Sequence, residues 1–200
     1  MPPGLNLCFV AMNERLSSPW ARRSDVRVGA VVAVAIAVAF VAWLLVRGGD
    51  SKTAATSGRA TGPVETTTAK LRALSVELGH PIYWAGPQPD RKYELTRTSD
   101  DRIFVRYLPR DVQIGIRQAA FTIIGTYPVD NAYKVLQQLG KKPHEHNFAA
   151  PVGGFAVYSS EQPSNVYLAY PGSNLQIEVY DPSPQQARGL ITSGQVAAVR

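Results

Sequence analysis

Nineteen consecutive uncharged residues, Val28 to Val46 in "VGAVVAVAIAVAFVAWLLV", constrain this chain more than any other feature. As a helix the run measures about 28 Å, close to the hydrocarbon thickness of a bilayer. Eleven of the 19 are Val, Ile, Leu or Phe, each favouring insertion by about 0.3–0.6 kcal/mol at the helix centre. Trp43 stands near one end, where an amphipathic ring suits the membrane interface. The run lacks the polar face that a helix on a soluble core carries. A cleaved signal peptide has a shorter apolar region closed by a small-x-small site. The residues after this run, "RGGDSKTAATSG", offer only an indifferent one around Thr53–Ala55. We therefore read residues 28–46 as a transmembrane helix that takes the lipid bilayer as its partner.

Orientation is set by the flanks. Arg22, Arg23 and Arg27 crowd the N-terminal side, whereas Arg47, Lys52 and Arg59 are spread out on the other. The bias places the N-terminus in the cytoplasm. The expectation is a single-pass plasma-membrane protein with a cytoplasmic tail over 1–27 and an extracytoplasmic C-terminal domain. Met12 opens "MNERLSSPWARRSDVR", a plausible tail by itself, so translation from Met12 is a second expectation. Gly29, Ala33 and Ala37 form a small-xxx-small row within the span, although alanine is frequent there.

Charge excludes one class of partner. The chain carries 21 Lys and Arg against 15 Asp and Glu, but beyond residue 69 the balance is 14 to 11. That surplus is too thin, and no binding motif accompanies it, so no nucleic-acid partner is expected. Cys8 is the single cysteine, which rules out an intrachain disulfide or a cysteine metal cluster.

Residues 47–66, rich in Gly, Ser, Thr and Ala, read as a flexible linker of about 25 Å mean span. From Thr67 the composition becomes one that folds. "TTAKLRALSVELG" places Leu71, Leu74 and Leu78 on one helical face and stops at Gly79. In "HPIYWAGPQPD", Pro81 prevents resumption of the helix, "IYWA" is a short strand and "GPQPD" a turn. His80 is thereby explained as punctuation. "KYELTRT" and "RIFVRYL" form a hairpin with Ile103, Val105 and Tyr107 on one face and Arg102, Phe104 and Arg106 on the other. "FTIIGTYP" is a further strand. "DNAYKVLQQLG" is a helix capped by Asp130, with Ala132, Val135, Leu136 and Leu139 as its buried stripe. "GFAVYS", "NVYLAY" and "LQIEVY" are strands, the last two joined by a type II turn at Pro171-Gly172. A last helix starts at Ser183 with Pro184 first in the helix and Gln186 completing a capping box. Short turns between closely spaced strands predict an α+β domain over 67–200, with an antiparallel sheet of about five to seven strands and three short helices.

The segments "LGHPIYWAG", "YELTRTSDDRIFVRYLP", "GTYPV" and "NVYLAYPGSNLQIEVYDPSP" with the "SGQV" ending resemble an actinobacterial group of single-pass membrane proteins with exported C-terminal domains. The resemblance covers the span and nearly everything after it. It implies location and architecture and carries no mechanism.

No catalytic signature such as G-x-S-x-G, H-E-x-x-H or a P-loop occurs. "HEHN" puts His144 and His146 two apart, a spacing that would need a third ligand to hold zinc, and it comes after the polar "GKKP". We read it as a solvated loop, with no metal and no cofactor expected. Asp100, Asp101 and Asp130 are explained by turns and caps. The most suggestive surface comprises Arg97, Arg102 and Arg106, with Arg110 and Arg117 just beyond, whose guanidinium groups on a rigid hairpin suit phosphate or carboxylate. Tyr158, Tyr167, Tyr170 and Tyr180 read as cross-strand packing. The leading expectation is a membrane-anchored, non-catalytic domain that binds an anionic envelope component or another membrane protein through these arginines. An exported hydrolase with a site assembled from distant residues is the second expectation, and a structural subunit of a membrane complex the third.

Overall fold

A computed structural model describes residues 60–200. The apolar run 28–46, the tail before it and linker residues 47–59 lie outside the described residues. Among those described, no helix is long and apolar enough to cross a membrane.

The first element, β1 (Thr61–Thr66), is a correction to the linker expected over 47–66, because the folded unit begins six residues before Thr67. "TGPVET" has no apolar alternation, and it becomes a strand by pairing antiparallel with β3. Helix α1 (Thr68–Leu78) is next, with Thr67 accepting the Lys70 N–H at its start and Gly79, at φ 70°, closing it as expected. Then come β2 (Tyr83–Trp84), β3 (Arg91–Arg97), β4 (Ile103–Pro109) and β5 (Ile123–Pro128). Helix α2 (Ala132–Leu139) leads to β6 (Glu145–Ala150), β7 (Gly154–Ser159), β8 (Asn165–Ala169) and β9 (Leu175–Tyr180). Helix α3 (Pro184–Thr192) and β10 (Ala197–Ala198) complete the described chain.

The domain is α+β, as expected, with three helices and a fully antiparallel main sheet in the order β1-β3-β4-β5-β9-β8-β7-β6; β2 and β10 make a separate two-stranded piece. Eight strands exceed the five to seven expected. The extra ones are the two edges, β1 and β6, whose largely polar sequences lack the apolar alternation of a central strand, although Phe148 and Ala150 of β6 reach the main core.

Strand register defines two faces. Leu95, Val105, Ile124, Val179 and Val166 lie opposite one another across five strands and belong to the main core. Leu71 of α1, Leu190 and Ile191 of α3, and Ile82 and Trp84 of "PIYWA" cover that face. The histidine-proline-aromatic run is therefore core and punctuation. Tyr107 holds it from below, its hydroxyl accepting the Ala85 N–H at 2.6 Å and donating to the Gly86 carbonyl at 3.2 Å. The His80 ring meets the carbonyl of its neighbour Pro81, and the His80 carbonyl accepts from the Ser75 hydroxyl.

Several local expectations need correction. Asn131, in a left-handed conformation at φ 54°, precedes α2 where Asp130 was expected as the cap. Val135 is 43 % exposed, outside the buried stripe of Ala132 and Leu136. Ser183 does cap α3, but Asp181 takes the Ser183 N–H that a full capping box would give to Gln186. The loop read into "HEHN" is mostly strand β6, with His144 in the preceding turn at φ 68°.

Candidate functional site

The second face of the sheet holds the unusual chemistry. Its central row runs Thr96, Phe104, Gly125, Glu178, Tyr167 and Val157, one residue from each of six adjacent strands. Helix α2 lies over one half through Ala132 and Leu136, packed against Val157 and Ala169. The 110–122 loop reaches the other half. Gly115 donates its N–H to Glu94, and the Ile116 carbonyl accepts from both terminal nitrogens of Arg106 at 3.0 and 2.9 Å.

This cover decides the fate of the three arginines singled out in sequence. Arg106 is 6 % exposed and pairs with the buried Glu94 at 2.8 Å, so its guanidinium is a structural tie. Arg97 belongs to the opposite face by register and pairs with Glu77 and Asp101, both at 2.8 Å. Arg102 pairs with Asp100 at 2.6 Å and stands 5.6 Å from the centroid of the Tyr127 ring. Arg102 and Arg106 share a face; Arg97 does not join them. The fold thus spreads the triad over two faces, each member already holding a carboxylate.

Two other features were missed in sequence. One is a groove of about 520 Å³ at the start of α1, lined by Thr67 and Thr68 and by Arg91, Lys92 and Arg110. The positive end of the helix, with no acidic residue in its first turn, adds to those three cations. Glu65 lines the same groove, and Asp90 approaches Arg110 to 3.6 Å, so the field is basic but not unopposed. Arg91 and Lys92 have no ion-pair partner among the described residues. A signal existed in "DRK" and "PRD", which sit at adjoining ends of paired strands, with Arg91 opposite Pro109. The pairing of β1, which closes the groove, was not legible.

The other is Glu178, 3 % exposed and central in the sheet. The Tyr127 hydroxyl donates to its Oε2, while Oε1 has no hydrogen-bond partner. Burial pushes its carboxyl up to about 7, against the lowering effects of Tyr127 and Arg102. The alternation of "LQIEVY" puts Glu178 on the face opposite Ile177 and Val179, which in sequence reads as solvent.

The aromatic residues behave as packing. Tyr83 and Tyr170 stack at 5.8 Å, and Tyr158 lies between His146 at 5.1 Å and Arg188 at 4.9 Å. Among the described residues no three His, Cys, Asp or Glu side chains gather as a metal would require. No protein-family model matches the chain, and no curated protein or solved structure matches it either.

Proposed function

We propose that this chain is a membrane-anchored binding protein whose C-terminal domain, held outside the cytoplasm by residues 28–46, engages an anionic envelope component without catalysis. The observation that carries the reading is the groove at the start of α1. Arg91, Lys92 and Arg110 line it together with Thr67 and Thr68 at the positive end of a helix. Phosphate is the chemistry such a site recognises, through charge-assisted hydrogen bonds from guanidinium, ammonium and backbone N–H groups. The anionic contact expected at Arg97, Arg102 and Arg106 belongs instead to this groove, because those side chains are committed to Glu77, Asp101, Asp100 and Glu94. The apolar run and the resemblance to exported single-pass proteins support the tether.

Residues 60–200 close their own core, so that fragment is the reagent. It should co-sediment with phosphatidylglycerol vesicles at low salt, remain free with phosphatidylcholine vesicles, and be released as salt rises. A basic side chain near an anionic surface contributes about 1 kcal/mol, so Arg91→Ala, Lys92→Ala and Arg110→Ala together should weaken binding on the order of a hundredfold. A parallel retention assay on phosphate-bearing wall polymer distinguishes lipid headgroup from polymer. Retention of the triple variant equal to wild type in both assays would remove the groove, and with it this reading.

A further inference from the structure

Glu178 is buried between the two strands that flank β9, and each supplies a tyrosine. From β5, Tyr127 folds back across Gly125 and gives its hydroxyl to Glu178. A Cβ at Gly125 would lie 2.6 Å from the Tyr127 hydroxyl oxygen, so glycine is what lets this ring reach the carboxyl. From β8, Tyr167 stands directly opposite Glu178 in register. The Tyr167 hydroxyl and Glu178 Oε1 are both buried and both without a hydrogen-bond partner. Two unpartnered polar atoms on neighbouring residues, beside one satisfied oxygen, mark a cluster with one interaction still to make.

The surroundings leave few groups able to make it. Tyr127 is already donating. Arg102 stands over the Tyr127 ring and is tied to Asp100. On β9 itself, Gln176 and Tyr180 flank Glu178, and the Tyr180 hydroxyl donates to the Ala119 carbonyl. Glu145 of β6 lies beyond Tyr167, and burial first, then the charges of Glu178 and Glu145, oppose ionisation of the Tyr167 hydroxyl. Helix α2 brings Ala132, Leu136, Tyr133 and Leu139 to this face, none of them charged at neutral pH. The Tyr167 ring packs in the same apolar cluster as those α2 residues. One side chain is therefore the cross-strand neighbour of the acid and packs its ring in the cluster under the helix.

We propose that Glu178, Tyr127 and Tyr167 form a proton-operated latch beneath α2. While Glu178 is a neutral acid, Tyr167 keeps its seat against α2. Once Glu178 loses its proton to solvent, a buried carboxylate with one bare oxygen is far more costly than the neutral acid. The Tyr167 hydroxyl then turns toward Oε1 and the ring leaves its place under the helix. Burial, which pushes the Glu178 carboxyl up to about 7, puts this change near neutral pH. This inference stands independently of the groove and of any ligand.

The test is hydrogen-deuterium exchange of the full-length protein in detergent micelles, from about pH 5 to about pH 9, corrected for intrinsic exchange. Protection of the α2 amides should fall on the order of tenfold across that range, with α1 as the unaffected reference. Glu178→Gln should keep α2 protected throughout. Tyr167→Phe, which keeps the ring and deletes the hydroxyl, should also remove the pH response, and it serves if the glutamine variant folds poorly. The protonated-carboxyl infrared band of wild type should vanish over the same interval. A wild-type α2 whose protection is constant with pH, or a Tyr167→Phe protein that responds as wild type does, would overturn the latch.

Discussion

Two carboxylates are buried on the same face of the sheet, Glu94 on β3 and Glu178 on β9, with β4 and β5 between them. Glu94 has the guanidinium of Arg106 at 2.8 Å and the Gly115 N–H on its other oxygen. Glu178 has one tyrosine hydroxyl and no ion pair. Their exposures are alike, so burial does not distinguish them; the partners do. Glu94 and Arg106 fix the 110–122 loop to the sheet, and only the Arg106 Nε is left over. Burial without a counter-charge disfavours the Glu178 anion, and the single Tyr127 donor offsets that only in part.

The largest effect expected from breaking this contrast is on the satisfied pair. Arg106→Met leaves Glu94 buried without its counter-charge and frees the Ile116 carbonyl, which should cost about 3–5 kcal/mol in chemical denaturation of residues 60–200. Adding Glu94→Gln to that variant should recover a large part of the loss, since the uncompensated charge is then gone. A double variant no more stable than the single would mean that the loop contacts, not the charge, carry the effect.

Next comes the pH response of Glu178. Its folded value, about 7, lies above the ordinary 4.5, so the native state holds a proton that the unfolded chain has released between those values. Stability from this group is full below about 4.5, falls as pH rises toward 7 and is flat above that, by about 3 kcal/mol in all. Thermal denaturation of wild type minus Glu178→Gln across pH isolates the contribution, and a difference that grows toward acid, with the glutamine protein the more stable at alkaline pH, is the expected sign. Gly125→Ala should then cost about 1–3 kcal/mol, because the new methyl displaces the Tyr127 hydroxyl. It should also steepen the pH response by removing the one donor Glu178 has.

Much of the frame was legible from pattern. The Leu71 helix with its Gly79 stop, the hairpin around Asp100-Asp101, the Pro171-Gly172 turn and the Ser183 cap all arise from local chemistry, and the structure has each of them. The failures share a cause. "TGPVET" and "EHNFAA" are strands because of the neighbours they pair with, and an edge strand needs little apolar alternation of its own. Glu94, Arg106 and Glu178 alternate with core residues, and alternation says which face they take without saying what covers it. The covers are α2 and the 110–122 loop, both tertiary choices. Gly125 was the one local clue, a glycine inside a strand where another side chain must approach closely.

Arg102 links the two halves of the comparison and should show the smallest effect. It is about a third exposed and already paired with Asp100, so Arg102→Ala should change folding free energy by no more than about 1 kcal/mol. Its charge nevertheless lowers the Glu178 value, third after burial and the Tyr127 hydrogen bond, so its removal should move the midpoint of the pH response to higher pH. Arg106→Met should change total stability with little movement of that midpoint, because its charge is spent on Glu94. Measuring both midpoints by thermal denaturation separates a charge that stabilises the fold from one that tunes an acid. Equal midpoints for wild type and Arg102→Ala would show that Asp100 screens the guanidinium before its field reaches Glu178, and the acid would then be set by burial and Tyr127 alone.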